Sequence, residues 1–271
     1  MIGETIIRYD NTIGEVYKGH LWAKSGKQLM LHPGYCNGEL AAVPFAGDVL
    51  LTGAFGSGVS NTLKVLLFDL MSQSSPEDFG FAFFDGAVGS DLGTYADRYN
   101  GDPDTPHLIL EDLCDSYDHV TRSLSAVLRY AEKHQNKAIV VVFNEFVKIP
   151  LDTDDWARIH DEFEKHDILI IATTNCSTES AIKQFLEVYP CAIRISGRSD
   201  YKCVKATLGV LPDPLIQKRV GQVYVRNTGT GELLLVTVQY MDWRDHVRCM
   251  NLFMRKAHGT TNYLYKLEQE N

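Results

Sequence analysis

Leu50-Leu51-Thr52-Gly53-Ala54-Phe55-Gly56-Ser57-Gly58-Val59-Ser60-Asn61-Thr62 is the stretch that decides the fold. An apolar run ends at Thr52, a glycine-rich turn follows, and then Leu63, Val65, Leu66, Leu67, Leu70 and Met71 make a segment apolar nearly all round. That pattern predicts a strand, a tight turn and a deeply packed helix. The same layout carries the phosphate-binding loop Gly-x4-Gly-Lys-Ser/Thr. Gly53 and Gly58 have its spacing, and Ser60 stands where the magnesium-binding hydroxyl belongs. With Gly56, Ser57, Val59 and Asn61 they form the candidate nucleotide-binding set. Glycines are needed there so that backbone N–H groups can wrap a phosphate at the helix N-terminus. The lysine position, however, holds Val59. A charge-assisted hydrogen bond contributes about 1.5–3 kcal/mol, so its loss weakens nucleotide binding by about tenfold to a hundredfold or more. Lys64 lies about one turn further along the helix and is not expected to substitute.

Working outward, short unbroken apolar runs occur at Asp48–Thr52, Phe79–Phe84, His107–Leu110, Ala138–Phe143 and Ile168–Thr173. Such runs fit strands buried on both faces, the habit of parallel sheets under helices. Between them lie helical patterns. In Tyr117–Glu132 the apolar residues Val120, Leu124, Val127, Leu128 and Ala131 fall on one face; Asp152–Lys165 and Thr178–Val188 read as two more helices. Strands alternating with helices predict an α/β fold with a mostly parallel sheet. The ends differ. Thr5–Tyr9 and Gln28–Leu31 are strand-like, and Gln222–Arg226 and Glu232–Tyr240 form a predicted hairpin across Asn227-Thr228-Gly229-Thr230-Gly231. Trp243–Ala257 reads as an amphipathic helix. The simplest account is one α/β domain over 1–271, with its core at about 40–240, β additions at both ends, and a C-terminal hairpin and helix at 221–257.

Two strand ends carry further chemistry. Ala138–Glu145 is an apolar run ending in Asn144-Glu145, the form of a Walker B strand. The first acid of that motif holds magnesium through water and the second activates the attacking water. Here the first is Asn144, a neutral ligand, and Glu145 keeps the base position as the candidate catalytic residue. Ile168–Asn175 ends in Thr173, Thr174 and Asn175, of which Thr174 and Asn175 are placed to sense a γ-phosphate. With the loop, this order of strand ends predicts a P-loop ATPase fold.

The order of these features resembles the FtsK/SpoIIIE motor ATPases: the loop at Gly53–Ser60, the strand at Ala138–Glu145, Ala172-Thr-Thr-Asn175, Ala192–Arg198, then Thr207-Leu208-Gly209. The resemblance spans roughly residues 40–240. Leu70–Gly86 and Thr105-Pro106-His107, followed by the helix of Tyr117–Glu132, are similar to the ATPase modules of EssC/EccC, the membrane motors of type VII secretion. Those proteins carry several modules in series, and Val59 and Asn144 look like the degraded motifs of a C-terminal one. Val59 in place of the lysine and Asn144 in place of the aspartate predict at most weak binding of ATP and magnesium, and loss of catalysis. The resemblance implies neighbouring ATPase modules as partners, and a small secreted helical substrate recognised through its signal sequence. It implies a cytoplasmic place as the soluble part of a membrane-anchored protein. It also implies a trans-acting arginine after the ATTN strand, for which Arg194 and Arg198 are the candidates.

Composition bounds these readings. The 271 residues include 26 basic and 35 acidic ones, a formal charge of −9, which disfavours a nucleic-acid partner held by bulk charge. Cys36, Cys114, Cys176, Cys191, Cys203 and Cys249 are scattered without a CxxC pair, which argues against structural zinc and a disulfide framework. No apolar run is long enough to span a membrane, and Met1–Asp10 lacks the pattern of a signal peptide. His160-Asp-Glu-Phe-Glu-Lys-His166 is not the HExxH zinc pattern, and no metal site is expected. The Met/aromatic stretch Trp243–Met254 is expected to pack on the core. Two rival functions stay open: an active FtsK-like DNA translocase or conjugative coupling ATPase, and an interaction module without nucleotide.

Overall fold

The computed structural model describes residues 29–87, 105–175, 178–213 and 219–258. The strand-like Thr5–Tyr9, Cys176 and the polar tail Glu268–Asn271 lie outside the described residues. In chain order the elements are β1 (Met30–Cys36), β2 (Glu39–Pro44), β3 (Val49–Thr52), α1 (Val59–Gln73), β4 (Phe79–Asp85), β5 (Leu108–Asp112), α2 (Tyr117–Lys133) and β6 (Ala138–Asn144). A 3-10 turn, Phe146–Lys148, follows. Then come α3 (Thr153–Lys165), β7 (Leu169–Thr174), α4 (Glu179–Val188), β8 (Ile193–Ser196), α5 (Tyr201–Leu208), β9 (Gln222–Asn227), β10 (Leu233–Thr237) and α6 (Trp243–His258).

One sheet of ten strands runs β2-β1-β10-β9-β8-β3-β7-β6-β4-β5. The six strands from β8 to β5 pair in parallel, and the four at the other end pair antiparallel. This is the expected mostly parallel α/β sheet with β additions from both ends of the chain. Side-chain alternation divides the core between the two faces. Val49, Leu51, Phe81, Phe83, Val140 and Val142 face α1, whereas Leu50, Phe84, Val141 and Phe143 face the layer containing α2, α3 and α4.

Helix α1 is buried nearly all round because the sheet, β1 included, covers one side and α6 packs on another. His32 on β1 donates its backbone N–H to Asp69 at 2.9 Å, and its Nδ1 lies 3.0 Å from both Asp69 carboxylate oxygens. Met30 exchanges both backbone groups with the Gln73 amide. From α6, Phe253 stacks on Phe68 at 5.9 Å, and Cys249, Met250 and Met254 are buried. These residues of the Met/aromatic stretch pack in the core. Lys64 is buried, and its charge adds to burial, the larger cause, in lowering the His246 pKa to about 4.

Two elements carry weak sequence signals. Strands β1 and β2 form a hairpin through Asn37-Gly38, both at positive φ (52° and 86°), which is the turn geometry that dipeptide favours. Helix α5 is only eight residues long; Asp200 caps its first N–H groups and Gly209 ends it in the left-handed region. No helix among the described residues is long and apolar enough to cross a membrane.

Candidate nucleotide site

The C-terminal ends of the parallel strands form one edge. Thr52 of β3 pairs with Thr174 of β7 on one side and Ser196 of β8 on the other. Strand β6 lies beyond β7, and Asp85 of β4 stands opposite Asn144 of β6. The strand carrying Thr174 therefore separates the glycine loop from the Walker B-like strand.

The loop is anchored on both flanks. Gly53 donates its N–H to the Thr174 carbonyl at 3.3 Å, Ala54 donates to the Arg198 carbonyl at 2.8 Å, and Gly221 donates to the Ser57 carbonyl at 3.3 Å. Gly58 takes φ 98°, a conformation that suits glycine, and starts α1 with no side-chain cap. No acid occupies the first turn. The first N–H groups of α1 and the positive end of its dipole are thus available to an anion. A Cβ on Gly53 would stand 2.3 Å from Ser57 Oγ and 2.9 Å from Val59 Cγ2, and one on Gly197 would stand 3.0 Å from Ser57 Oγ. The cradle is as tight as glycine allows. Ser57 Oγ is fully buried in it without a hydrogen-bond partner among the described residues. Gly56 and Phe55 are exposed at the tip, and Ser60 is half-buried.

These features fit a phosphate in part. The backbone donors, the uncapped helix and the Ser57 hydroxyl suit it, and the ammonium is missing. Val59 is 2% exposed and its methyl lies back toward Gly53. Asn61 does not reach the loop with its side chain. Its amide donates to the Gln239 carbonyl and its oxygen accepts the Met241 N–H at 2.8 Å, tying α1 to the segment after β10.

Magnesium fits poorly. Asn144 is buried and held at both ends of its amide: the nitrogen donates to Asp85 Oδ1 at 2.7 Å, and the oxygen accepts the Thr173 hydroxyl at 2.8 Å. Glu145 sits at φ 53° and is 2% exposed. Its carboxylate accepts the Asn175 N–H at 2.7 Å and the Thr174 hydroxyl at 3.3 Å. The candidate base and the candidate sensor pair are thus brought together, but hydrogen-bonded to each other. Among the described residues no group of three or more His, Cys, Asp or Glu could hold a metal ion.

The two arginine candidates part company. Arg194 is half-buried on β8, donates Nε to the Cys191 carbonyl at 3.1 Å, and faces Arg226 on β9 at the C-terminal end of α5. Burial, with the Arg226 charge, lowers its pKa. Arg198 is exposed, and its backbone holds Ala54 of the loop. Sequence reasoning assigns no role to Asp85 and Thr173, the two residues that fix Asn144. A carboxylate closing the apolar run Phe79–Phe84 is the signal that marks Asp85.

No family model matches the chain and no curated protein matches it. Solved structures do. The cytoplasmic domain of the Thermomonospora curvata type VII secretion ATPase EccC superposes with a TM-score of 0.68 at 18% identity, covering 89% of this chain and 32% of that one. T. curvata EccC ATPases 2 and 3 in complex with a signal sequence peptide match at TM-score 0.61 and 13% identity, over 88% of this chain and 43% of that one. The pCW3 conjugation coupling protein TcpA, in its monomer form with ATPγS, matches at 0.59 and 15%, over 88% and 74%. The chain shares the fold of the ATPase domains of EccC and EssC and spans about a third of the length of the first of these structures.

Proposed function

We propose that this chain is a degenerate ATPase module of a type VII secretion motor. It acts in recognition of a substrate signal sequence and in regulation of export, with weak or no ATP binding. The observation that carries this reading is the state of the strand edge. The glycine cradle persists, Val59 replaces the cation, and Asn144 and Glu145 are locked into hydrogen bonds with Asp85, Thr173, Thr174 and Asn175. A site so arranged can hold an anion against backbone donors but lacks the ammonium and the magnesium-holding acid that phosphoryl transfer uses, and its Glu145 carboxylate is already held by Asn175 and Thr174. Arg198, exposed beside the loop, is the better placed of the two arginines to reach a neighbouring module.

Recognition of a helical signal needs no hydrolysis. It needs apolar anchors at helical spacing and a groove to take them. A cleft of about 270 Å³ lined by Phe146, Ile149, Leu151, Trp156, Phe185 and Val188 is the surface we assign to those anchors. The single-domain organisation and attachment to a membrane through other parts of a longer protein belong to the same proposal. The likeness to TcpA favours the rival reading of a DNA-coupling ATPase, which the net charge of −9 opposes.

Two titrations at low and high salt test the proposal, one with C-terminal peptides of small secreted helical-hairpin proteins and one with duplex DNA. Peptide binding that depends little on salt is expected. Tight, steeply salt-sensitive DNA binding without peptide binding contradicts it.

A further inference from the structure

Arg194 and Arg226 stand directly opposite each other on the antiparallel strands β8 and β9. Ile193, Ile195 and Val225 pack in the core that faces α1, so strand alternation turns both arginines to the other face of the sheet. There the two guanidinium groups converge on Gly209, the exposed residue that ends α5. A Cβ on that glycine would stand 2.9 Å from Arg226 Nη1 and 3.5 Å from Arg194 Nη1. Both arginines are half-buried, so each keeps part of its surface open to a ligand.

Like charges directly opposite each other destabilise a strand pair. The sequence has 35 acidic residues, yet among the described residues none forms an ion pair with either arginine. Main-chain carbonyls take one N–H from each: Cys191 accepts Arg194 Nε at 3.1 Å, and Leu208, at the C-terminal end of α5, accepts Arg226 Nη1. That helix end offers about half a negative charge at most, against two positive ones. Lys205 in its last turn adds a further positive charge. A guanidinium is a fork of several N–H donors, and most of those on each arginine stay open. The complement of such a pair is an acceptor that carries negative charge.

We propose that Arg194 and Arg226 form an oxyanion site at the end of α5, and that its ligand is a dianion whose oxygens meet both guanidinium forks. A phosphate group and two neighbouring carboxylates share that chemistry. The site lies on the sheet face opposite α1 and uses no group of the glycine loop. The assay is NMR titration of the whole chain, read at the amides and the arginine Nε–H signals. The probes are inorganic phosphate, succinate and acetate at constant ionic strength and about pH 8, where phosphate is a dianion. Both dianions are expected to shift the Gly209 amide and the Nε–H signals of Arg194 and Arg226, and acetate to bind about tenfold more weakly. Tighter binding of phosphate assigns the site to a phosphate group, and tighter binding of succinate assigns it to paired carboxylates.

Arg194→Gln is expected to weaken the tighter dianion about tenfold or more, through loss of one charge-assisted contact. Arg194→Lys keeps the charge and loses the fork, and is expected to weaken it several-fold. Saturating dianion is expected to raise the melting temperature of wild type more than that of Arg194→Gln. A merely structural bond from Arg194 to the Cys191 carbonyl would leave that difference at zero. No shift of the Gly209 and arginine signals by either dianion up to about 10 mM, an equal response to acetate, or unchanged affinity in Arg194→Gln overturns the proposal. Shifts confined to Gly56–Ser60 overturn it as well, because they place the anion in the glycine loop instead.

Discussion

Restoring the missing Walker B acid tests the reading of Asn144. In Asn144→Asp the amide that donates to Asp85 at 2.7 Å becomes a carboxylate oxygen at the same place. Asp85 and residue 144 are 6% and 2% exposed, so water screens the pair poorly. At an effective dielectric of about 20, two charges that close repel by about 6 kcal/mol. The pair avoids most of this by retaining one proton, which raises its apparent pKa. An acid whose folded pKa is raised makes the fold less stable as pH climbs past the unfolded value of about 4, and each unit of rise costs about 1.4 kcal/mol once both groups should ionise. We expect Asn144→Asp to lower stability by about 2–4 kcal/mol at pH 8 and far less at pH 5. Urea denaturation of both proteins at the two pH values measures this, and the variant should gain no magnesium-dependent turnover. A variant as stable as wild type at pH 8, or one that turns over ATP, refutes the account of Asn144 as a residue fitted to Asp85.

Val59→Lys is expected to raise ATP affinity by about tenfold or more, because the side chain already runs back toward Gly53 and a longer stem there can present an ammonium to a bound phosphate; calorimetry on both proteins decides it, and equal affinity contradicts the loop geometry. Glu145→Gln should lower stability by about 1–3 kcal/mol in urea, since its buried carboxylate accepts from Asn175 and Thr174; an unchanged midpoint would show those bonds to be idle. Burial lowers the His32 pKa, but the hydrogen bond and charge of Asp69 outweigh it and leave the value raised. Its contribution is therefore full below about pH 6.5 and is lost as pH rises through the raised value, so wild type should lose more stability than Asp69→Asn between pH 6 and 9.

The strands that carry the site were legible because both their faces are buried. Val49–Thr52, Ala138–Asn144 and Leu169–Thr174 appear as unbroken apolar runs, and the glycine spacing fixed where the first helix starts. Strand β2 was not, because its apolar run Leu40–Val43 is short and half alanine, a residue with little strand preference; only Asn37-Gly38 marks its hairpin. Helix α5 buries Cys203, Val204, Thr207 and Leu208 at helical spacing, yet eight residues give periodicity little length to show itself, and its plainest marks are Asp200 and Gly209 at its ends. Within the site the residue types were legible and their partners were not. That Asn144 meets Asp85, or that Glu145 meets Asn175, depends on strand order, because β7 lies between β3 and β6. The same applies to Arg194, whose cross-strand neighbour Arg226 depends on β9 lying beside β8.

The central claim is that a phosphate cradle survives here without the groups that hydrolyse ATP. Steady-state turnover with ATP and magnesium, measured on the wild-type chain beside Glu145→Gln, tests it most directly. The account predicts negligible turnover in both. Robust turnover in wild type that disappears in Glu145→Gln contradicts it.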